Sequence, residues 1–426
     1  MDIMTLTPDE NGQVDWPALS PDRRAVVTVG VFDGMHQGHA AVIGKVVELA
    51  KQTDSFAVVV LFDPRPGLVH RYAAEHDGAA LPEDAVDVEA LTGVDQRLRI
   101  MRDLGVDVVL QVRYSLPFAA KSYRFFLGQM VGRVGMRTLV LGTDAAMGNN
   151  REGDIKAIDT LAQATGVFEL VVVDDRGPGE VRIPADAHPE APTEPGEPQD
   201  PTAGMTKAQL RAWSKRHQGR RTRAWSSTNV RYLLGHGRIK DANAILGRPH
   251  AVEGVVVHGE ERGRALGFPT ANLGERLDGY LPVDGVYAGW LVDLGPAESH
   301  GPTDDATCPA SERVDADSAD AGRTAARLHP YDDHGAVTRC AADSPYRWPA
   351  AISIGTKPTF SEQTGLHERV AEAYAITEDG SWLDLYGHRV RFEFAGFLHP
   401  MVRYDGVDEL IAALNSYVDQ TRRLTA

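Results

Sequence analysis

Two histidines three residues apart, His36 and His39, stand in the string Gly30-Val31-Phe32-Asp33-Gly34-Met35-His36-Gln37-Gly38-His39, between an apolar run and a helical pattern. Imidazoles at a strand-to-helix turn can hydrogen-bond the oxygens of a phosphate that gains charge during displacement. Glycines there let a nucleotide approach the backbone, and the helix N-terminus favours the anion. Spacing alone leaves other readings open: a loop or cap pair, or half of a zinc site. The whole string in its strand context makes His36 and His39 candidate catalytic groups and Gly30, Phe32, Asp33 and Gly34 candidate nucleotide contacts. A second string, Trp225-Ser226-Ser227-Thr228-Asn229-Val230-Arg231, sets hydroxyls before a helical pattern with Arg231 one turn in. Ser227, Thr228 and Arg231 can hold a triphosphate; read alone, the string is an N-cap with a surface arginine. In the second half, Gly259, Gly263, Gly267, Pro269, Thr270 and Asn272 closely follow an apolar alternating run. Glycine backbone with a hydroxyl and an amide oxygen suits a phosphate and Mg²⁺, although Thr-Ala-Asn after a proline also fits an Asx-type turn. Glu372, among the apolar residues of VAEAYAI, is either a solvent-facing strand residue or a general base.

These groups need elements to hold them. From residue 25 to about 175 the runs AVVTVG, FAVVVLF, DVVLQV, TLVLG and FELVVVDD alternate with helical patterns. Runs apolar at every position, such as Val58-Val59-Val60-Leu61, fit strands buried on both faces of a parallel sheet. The first half is therefore expected to be a Rossmann-like open α/β sheet whose ligands bind beyond the carboxyl ends of its strands. After about residue 245, short alternating strands punctuated by Gly and Pro predict a small antiparallel β-barrel. Val407, Leu410, Ile411, Leu414 and Val418 then repeat at helical spacing, with Asp405 as N-cap of a carboxyl-terminal helix packed on the barrel.

Composition narrows the classes. The chain has 426 residues, long enough for two cores, and 44 Lys and Arg against 60 Asp and Glu give a net charge of -16. Broad nucleic-acid or anionic-membrane binding is not expected. The amino terminus lacks a signal-peptide pattern and no run reaches membrane-span length, so a cytoplasmic protein is expected. Two cysteines, Cys308 and Cys340, are too few for a disulfide framework. Residues 184–205 hold six prolines and five acids without Lys or Arg, which reads as a disordered linker. Residues 206–223 hold seven Lys or Arg and no acid, and can be a solvated helix, a phosphate-attracting arm or a complement to the acidic run. A segment at about 295–349, poor in large apolar residues, is expected to be a mostly disordered insertion.

The strings GVFDGMHQGH, FDPRP, SSTNVR, LGRPHAVEGVVVHGEERGRALGFPTANL, ISIGTKPTF and DLYG resemble, in this order, the bifunctional bacterial FAD synthetases. The resemblance spans about residues 25–175 and 225–426. It implies an FMN adenylyltransferase over about 1–240, linker included, and a riboflavin kinase over about 245–426. The implied reactions turn riboflavin and ATP into FMN, then FMN and a second ATP into FAD and pyrophosphate, with Mg²⁺ in both. His36 and His39 are implied to stabilise phosphate charge, Ser227, Thr228 and Arg231 to hold the departing pyrophosphate, and Asp144 and Pro64 to lie near flavin and nucleotide. Thr270 and Asn272 are implied to position Mg²⁺ and ATP, and Glu372 to take the riboflavin hydroxyl proton. The expected partners are small molecules, with no nucleic acid, membrane or obligate protein partner. The chain departs from the family where a DFxFG-like string is usual and Asp144-Ala145-Ala146-Met147-Gly148 stands, at Arg65 for a frequent His, and at His399 for a usual Arg. A kinase with a weakened transferase, or a flavin-sensing protein without catalysis, are the competing expectations.

Overall fold

The computed structural model describes residues 1–185, 187–259, 263, 266–297, 328–356 and 369–426. Strands β2 (Ala25–Gly30), β3 (Phe56–Asp63), β4 (Val108–Arg113) and β5 (Met136–Gly142) form where the apolar runs predict them, and β1 (Asp2–Leu6) precedes the first of those runs. A two-residue ladder of β6 (Ala146–Met147) with β7 (Gly153–Asp154) precedes β8 (Glu169–Val173). Six of these strands lie parallel in the order β1-β4-β3-β2-β5-β8. The unbroken run of β3 has a simple cause: Val58 and Val60 enter the core on one face, Val59 and Leu61 the core on the other, and all four are fully buried. At about 25 cal/mol per Å² of apolar surface, each such side chain contributes roughly 2 kcal/mol. The chain steps from β2 through β3 to β4 on one side and returns to place β5 on the other. The crevice at the carboxyl ends of β2 and β5 is thus the topological switch point.

The stretch read as a disordered linker, 184–205, contains no helix or strand among its described residues, whereas the basic run that follows it is structured. β9 (Glu180–Ile183) and β10 (Arg220–Arg223) pair antiparallel, and the helix Lys207–Arg216 between them opens on a Thr206–Gln209 capping box. The proline-rich part has no core of its own but attaches by polar contacts. Glu190 N–H donates to the Gly235 carbonyl (2.8 Å), Gly196 N–H to that of Leu398 (2.8 Å), and the Glu197 carboxylate accepts from the N–H groups of Lys240 and Phe397. Of the three readings of 206–223, the solvated helix fits Lys207–Arg216, which buries no residue. Arg223, at its end, reaches inward.

The second half closes into a six-stranded antiparallel barrel of β11 (His250–Val257), β12 (Ala271–Leu273), β13 (Gly285–Pro296), β15 (Arg347–Thr356), β16 (Arg369–Ala375) and β17 (His388–His399). Between β13 and β15, β14 (His329–Pro330) leaves the barrel and adds to the edge of the parallel sheet, antiparallel to β1, with Asp2 opposite Pro330 and Ile3 opposite His329. Residues 298–327 of the expected insertion lie outside the described residues; 328–349 carry β14, a short helix and the start of β15. Tyr331 N–H donates to the Met1 carbonyl, Arg102 pairs with Asp333, and the short helix Ala336–Arg339 is fixed by Arg339 on Asp293. The helices Ser227–Leu234 and Ile239–Leu246 bury Val230, Leu234, Ile239 and Ala242 in the same core as barrel residues Tyr287 and Phe394, so packing does not part near residue 240.

The carboxyl-terminal helix runs Val407–Thr425 and lays Tyr417 and Thr421 on the barrel. Its N-cap is Gly406 rather than Asp405, whose own N–H donates to Glu409, and Val407 is 58% exposed. Where sheet and barrel meet, Glu253 on β11 is fully buried among Arg99 from the helix Val94–Leu104, Arg389 and Arg391. Burial alone would raise its carboxyl, but Arg99, Arg391 and Arg389 pull it down to about 2.

Candidate active sites

The turn after β2 passes through left-handed backbone at Phe32 (φ 51°), Gly34 (φ 81°) and Met35 (φ 42°) before the helix Gln37–Gln52 begins. At Gly34 a side chain is excluded twice over, by its φ and by Leu91 Cδ1 2.7 Å from where a Cβ would sit. Gly30, the last residue of β2, lies against the Phe32 ring. His36 is the N-cap: its Nδ1 accepts the His39 N–H at 3.3 Å, which leaves the proton of the neutral ring on Nε2. The two imidazoles stack with centroids 3.7 Å apart, and Phe32 meets His39 edge-on at 5.4 Å. Among the described residues, His39 Nδ1 is buried without a hydrogen-bond partner. Burial, then the charge of Arg223, lowers His36 to about 4; burial, the His36 ring and Arg223 hold His39 well below the usual histidine range. Both rings are neutral at pH 7 in a setting of positive field.

Asp33 holds this turn to the rest of the site. Its Oδ1 accepts from the N–H groups of Leu91 (2.8 Å) and Thr92 (3.3 Å), and its Oδ2 pairs with Arg231. Burial pushes the Asp33 carboxyl up against the pull of Arg231, Arg65 and Arg97. The Ser227 hydroxyl donates to the Asp33 carbonyl (2.8 Å), and Arg231 Nε to that of Glu89 (2.7 Å). Ser226 is the N-cap of Ser227–Leu234, and Thr228 is exposed on its first turn. Ser227 and Arg231 therefore converge on the histidine turn, with Thr228 beside them.

Beyond β5, Asp144 ion-pairs with Arg223 at 3.0 Å, and the other side of the same guanidinium meets Asp175 at 2.7 Å. Burial would raise Asp175, but the Thr143 N–H and hydroxyl together with Arg223 hold it below the ordinary carboxylate range. Ala145 and Met147, standing where rings are usual, pack half-buried against the sheet core. Pro64 follows a cis Asp63–Pro64 bond at the end of β3, and Arg97 clamps this corner by donating to Asp63 Oδ1 (2.8 Å) and the Val31 carbonyl (2.9 Å). Arg223, Asp175 and Arg97 carried no motif in the sequence; a lone charge far from its partner leaves no spacing to read.

The barrel site is built over a shorter range. Asn272 on β12 lies opposite Glu372 on β16, and Ser353 on β15 lies opposite Glu372 from the other side. The Thr270 hydroxyl donates to Glu372 Oε2 (3.4 Å), and Asn272 Nδ2 donates to the Thr270 carbonyl (3.1 Å) and Oγ1 (3.3 Å). A cavity of about 20 Å³ is lined by Gly259, Gly263, Pro269, Thr270, Asn272, Trp382 and Tyr386. A Cβ on Gly263 would stand 2.4 Å from the Phe268 carbonyl oxygen, so that position requires glycine, and one on Gly259 would press within 2.7 Å of the Asn272 carboxamide. Gly267 turns the chain at φ 83°. Residues 260–262, 264–265 and 357–360, parts of two strings singled out above, lie outside the described residues.

Comparison with known proteins follows this division. Residues 19–187 match the family model described as FAD synthetase, and residues 246–425 the one described as riboflavin kinase. A bifunctional riboflavin kinase/FMN adenylyltransferase of Listeria monocytogenes is 30% identical over 267 residues, covering 63% of this chain and 68% of that protein. One of Escherichia coli K12 is 30% identical over 277 residues, covering 65% of this chain and 71% of that protein. This chain belongs to the bifunctional riboflavin kinase/FMN adenylyltransferases. A crystal structure described as a macrolide-efflux protein from Streptococcus pneumoniae shares the fold of this riboflavin kinase/FMN adenylyltransferase, with a TM-score of 0.61 over 98% of both chains at 20% identity. The segment between the two matched regions carries Arg223, Ser227, Thr228 and Arg231 of the first site. Among the described residues, no helix of this family member is long and apolar enough to cross a membrane.

Proposed function

We propose that this chain makes FMN in its barrel and FAD at its histidine turn, with the residues placed as follows. The observation that carries the reading is that two separate clusters assemble: stacked His36 and His39 at the switch point, and Thr270, Asn272 and Glu372 across adjacent barrel strands.

In the barrel, ATP phosphates lie over the backbone of Gly259, Gly263 and Gly267, beside Pro269. The Thr270 hydroxyl and Asn272 amide oxygen suit Mg²⁺, a hard cation that takes few protein ligands together with substrate phosphates and water. The metal's contribution when bound is neutralisation of phosphate charge. Glu372, oriented by the Thr270 hydroxyl, accepts the proton of the riboflavin 5′-hydroxyl as that oxygen attacks the γ-phosphate and ADP leaves with the bridging oxygen. Holding the two substrates in line carries most of the rate.

At the histidine turn, the FMN phosphate attacks the ATP α-phosphate and pyrophosphate leaves. His36 and His39, neutral before ATP arrives, donate hydrogen bonds to oxygens that gain charge along this path. Arg223 and the start of the helix Ser227–Leu234 make the crevice attractive to polyphosphate before reaction. Gly30, Phe32, Asp33 and Gly34 shape the turn around the nucleotide, and Pro64 and Asp144 border the flavin side. Ser227, Thr228 and Arg231 are assigned to the departing pyrophosphate, whose charge can replace the Asp33 carboxylate as the partner of Arg231. The transferase is assigned to about residues 1–240 and the kinase to about 245–426, in the cytoplasm where ATP is available.

The test is direct. Purified protein with riboflavin, ATP and Mg²⁺ is sampled over time and its flavins separated by chromatography. FMN that rises and then converts to FAD is expected. FMN alone overturns the transferase half of the reading, and no product overturns both halves.

A further inference from the structure

Arg248 lies inside the segment that matches the riboflavin kinase model, yet its side chain ends on the histidine turn of the other module. Its Nη2 donates to the Gly34 carbonyl at 2.8 Å and its Nη1 to the Met35 carbonyl at 2.9 Å, with a third bond from Nη1 to the Leu246 carbonyl at 3.2 Å. Beside it, the Gln37 side chain donates to the Ala244 carbonyl, and the Ser227 hydroxyl holds the Asp33 carbonyl. Three consecutive carbonyls of the turn, at Asp33, Gly34 and Met35, are therefore held by groups that follow residue 226.

This turn needs holding from outside. Phe32 and Met35 carry side chains in left-handed backbone, a conformation that persists only where the surroundings over-determine it. His36 begins immediately after Met35, so a rotation of the Met35 peptide swings the imidazole that caps the helix and, through their stacking, that of His39. A guanidinium suits the task because its planar fork can bridge two successive carbonyls, whereas an ammonium is a point donor.

We propose that Arg248 is a positioning residue for adenylyl transfer: by fixing the Gly34 and Met35 carbonyls, the first residues of the kinase module set the direction in which His36 and His39 face the phosphates. The proposal rests on the assignment of the histidine turn to that reaction. Riboflavin phosphorylation does not use it, since Thr270, Asn272 and Glu372 are held by one another across β12 and β16.

The experiment measures both activities on full-length Arg248→Ala, Arg248→Lys and His36→Ala, with FMN supplied directly for the second step. Arg248→Ala is expected to lose about 10- to 100-fold in kcat for FMN adenylylation, the scale of a small misplacement of catalytic groups, with KM for ATP little changed and riboflavin phosphorylation intact. Added guanidinium restores part of the transferase rate, and Arg248→Lys falls between the alanine variant and the native protein. Kinase activity on the same chain reports folding; if the alanine variant does not fold, the lysine variant decides by the same selective loss. Parallel loss of both activities in Arg248→Lys, or unchanged adenylylation in Arg248→Ala, overturns the proposal. If His36→Ala still makes FAD, the assignment of the turn falls and this proposal with it.

Discussion

The two sites of this chain are assembled in opposite ways. The barrel cluster draws its candidate groups from paired strands: Thr270 and Asn272 lie beside Glu372 because β12 and β16 are neighbours, and the ladder that makes the barrel also makes the cluster. The histidine turn instead gathers Asp33 and His36 after β2, Asp144 after β5, Arg223 at the end of β10, Ser227 and Arg231 from a helix packed on the barrel, and Arg248 from the start of β11's segment. One site is a property of a single sheet, the other of the whole molecule. Unfolding of the barrel should therefore reach both reactions, while a change confined to the acting groups of one cluster should reach only the reaction assigned to it.

The largest test of this contrast is Glu372→Gln. Removing the proposed base is expected to slow riboflavin phosphorylation by about 10²- to 10⁴-fold while FAD still forms from supplied FMN. Chromatography with each flavin as the starting substrate checks it, and loss of both reactions would break the contrast. His36→Ala should do the converse. FAD formation is expected to drop by about 10²- to 10³-fold, the usual cost of one charge-stabilising donor, with FMN formation unchanged in the same assay.

Glu253→Gln probes the shared ground between the sites. It leaves Arg99, Arg389 and Arg391 buried around a neutral amide, which should lower the unfolding free energy by about 3–5 kcal/mol in urea titration and weaken both activities together on warming. Persistence of the native urea midpoint would show that the interface charge is not needed for stability.

The smallest and most graded effect is with acid. His36 is held at about 4 in the folded chain, below an unfolded value of 6.5, so the unfolded state binds the extra proton and stability falls as pH drops from 6.5 toward 4. Glu253, held at about 2 against 4.5 unfolded, contributes stability above pH 4.5 that is lost as pH falls toward 2. Melting temperature is expected to decline below pH 6.5 and more steeply below 4.5; in Glu253→Gln the steeper limb should shrink.

How much of this was legible in the sequence divides along the same line. The parallel sheet and the barrel follow from local periodicity, continuous in Val58 to Leu61 and alternating in Ala371-Glu372-Ala373, because burial on two faces or one dictates the pattern. The barrel site was legible for the same reason: its residues lie in short strings next to strands. Groups that work by reaching across the chain were not. Glu197, which satisfies two backbone N–H groups near residues 240 and 397, sits in a run whose composition reads as disorder, and only the tertiary structure supplies its partners. Arg223 and Arg248 look like any surface arginine until the turn they hold is in place. The C-terminal cap differs for a local reason: Gly406 precedes Val407 in extended backbone, and the Asp405 N–H turns to Glu409.

One small element gives the molecule a history as well as a shape. β1 leaves the ribosome long before β14, yet its outer edge is covered only when β14 arrives, because Asp2 pairs with Pro330. During synthesis the parallel sheet thus waits with an open edge while the linker, the helices and half of the barrel are made. Its last strand is delivered by the other module, so the amino-terminal half of this enzyme is completed by residues that are translated late.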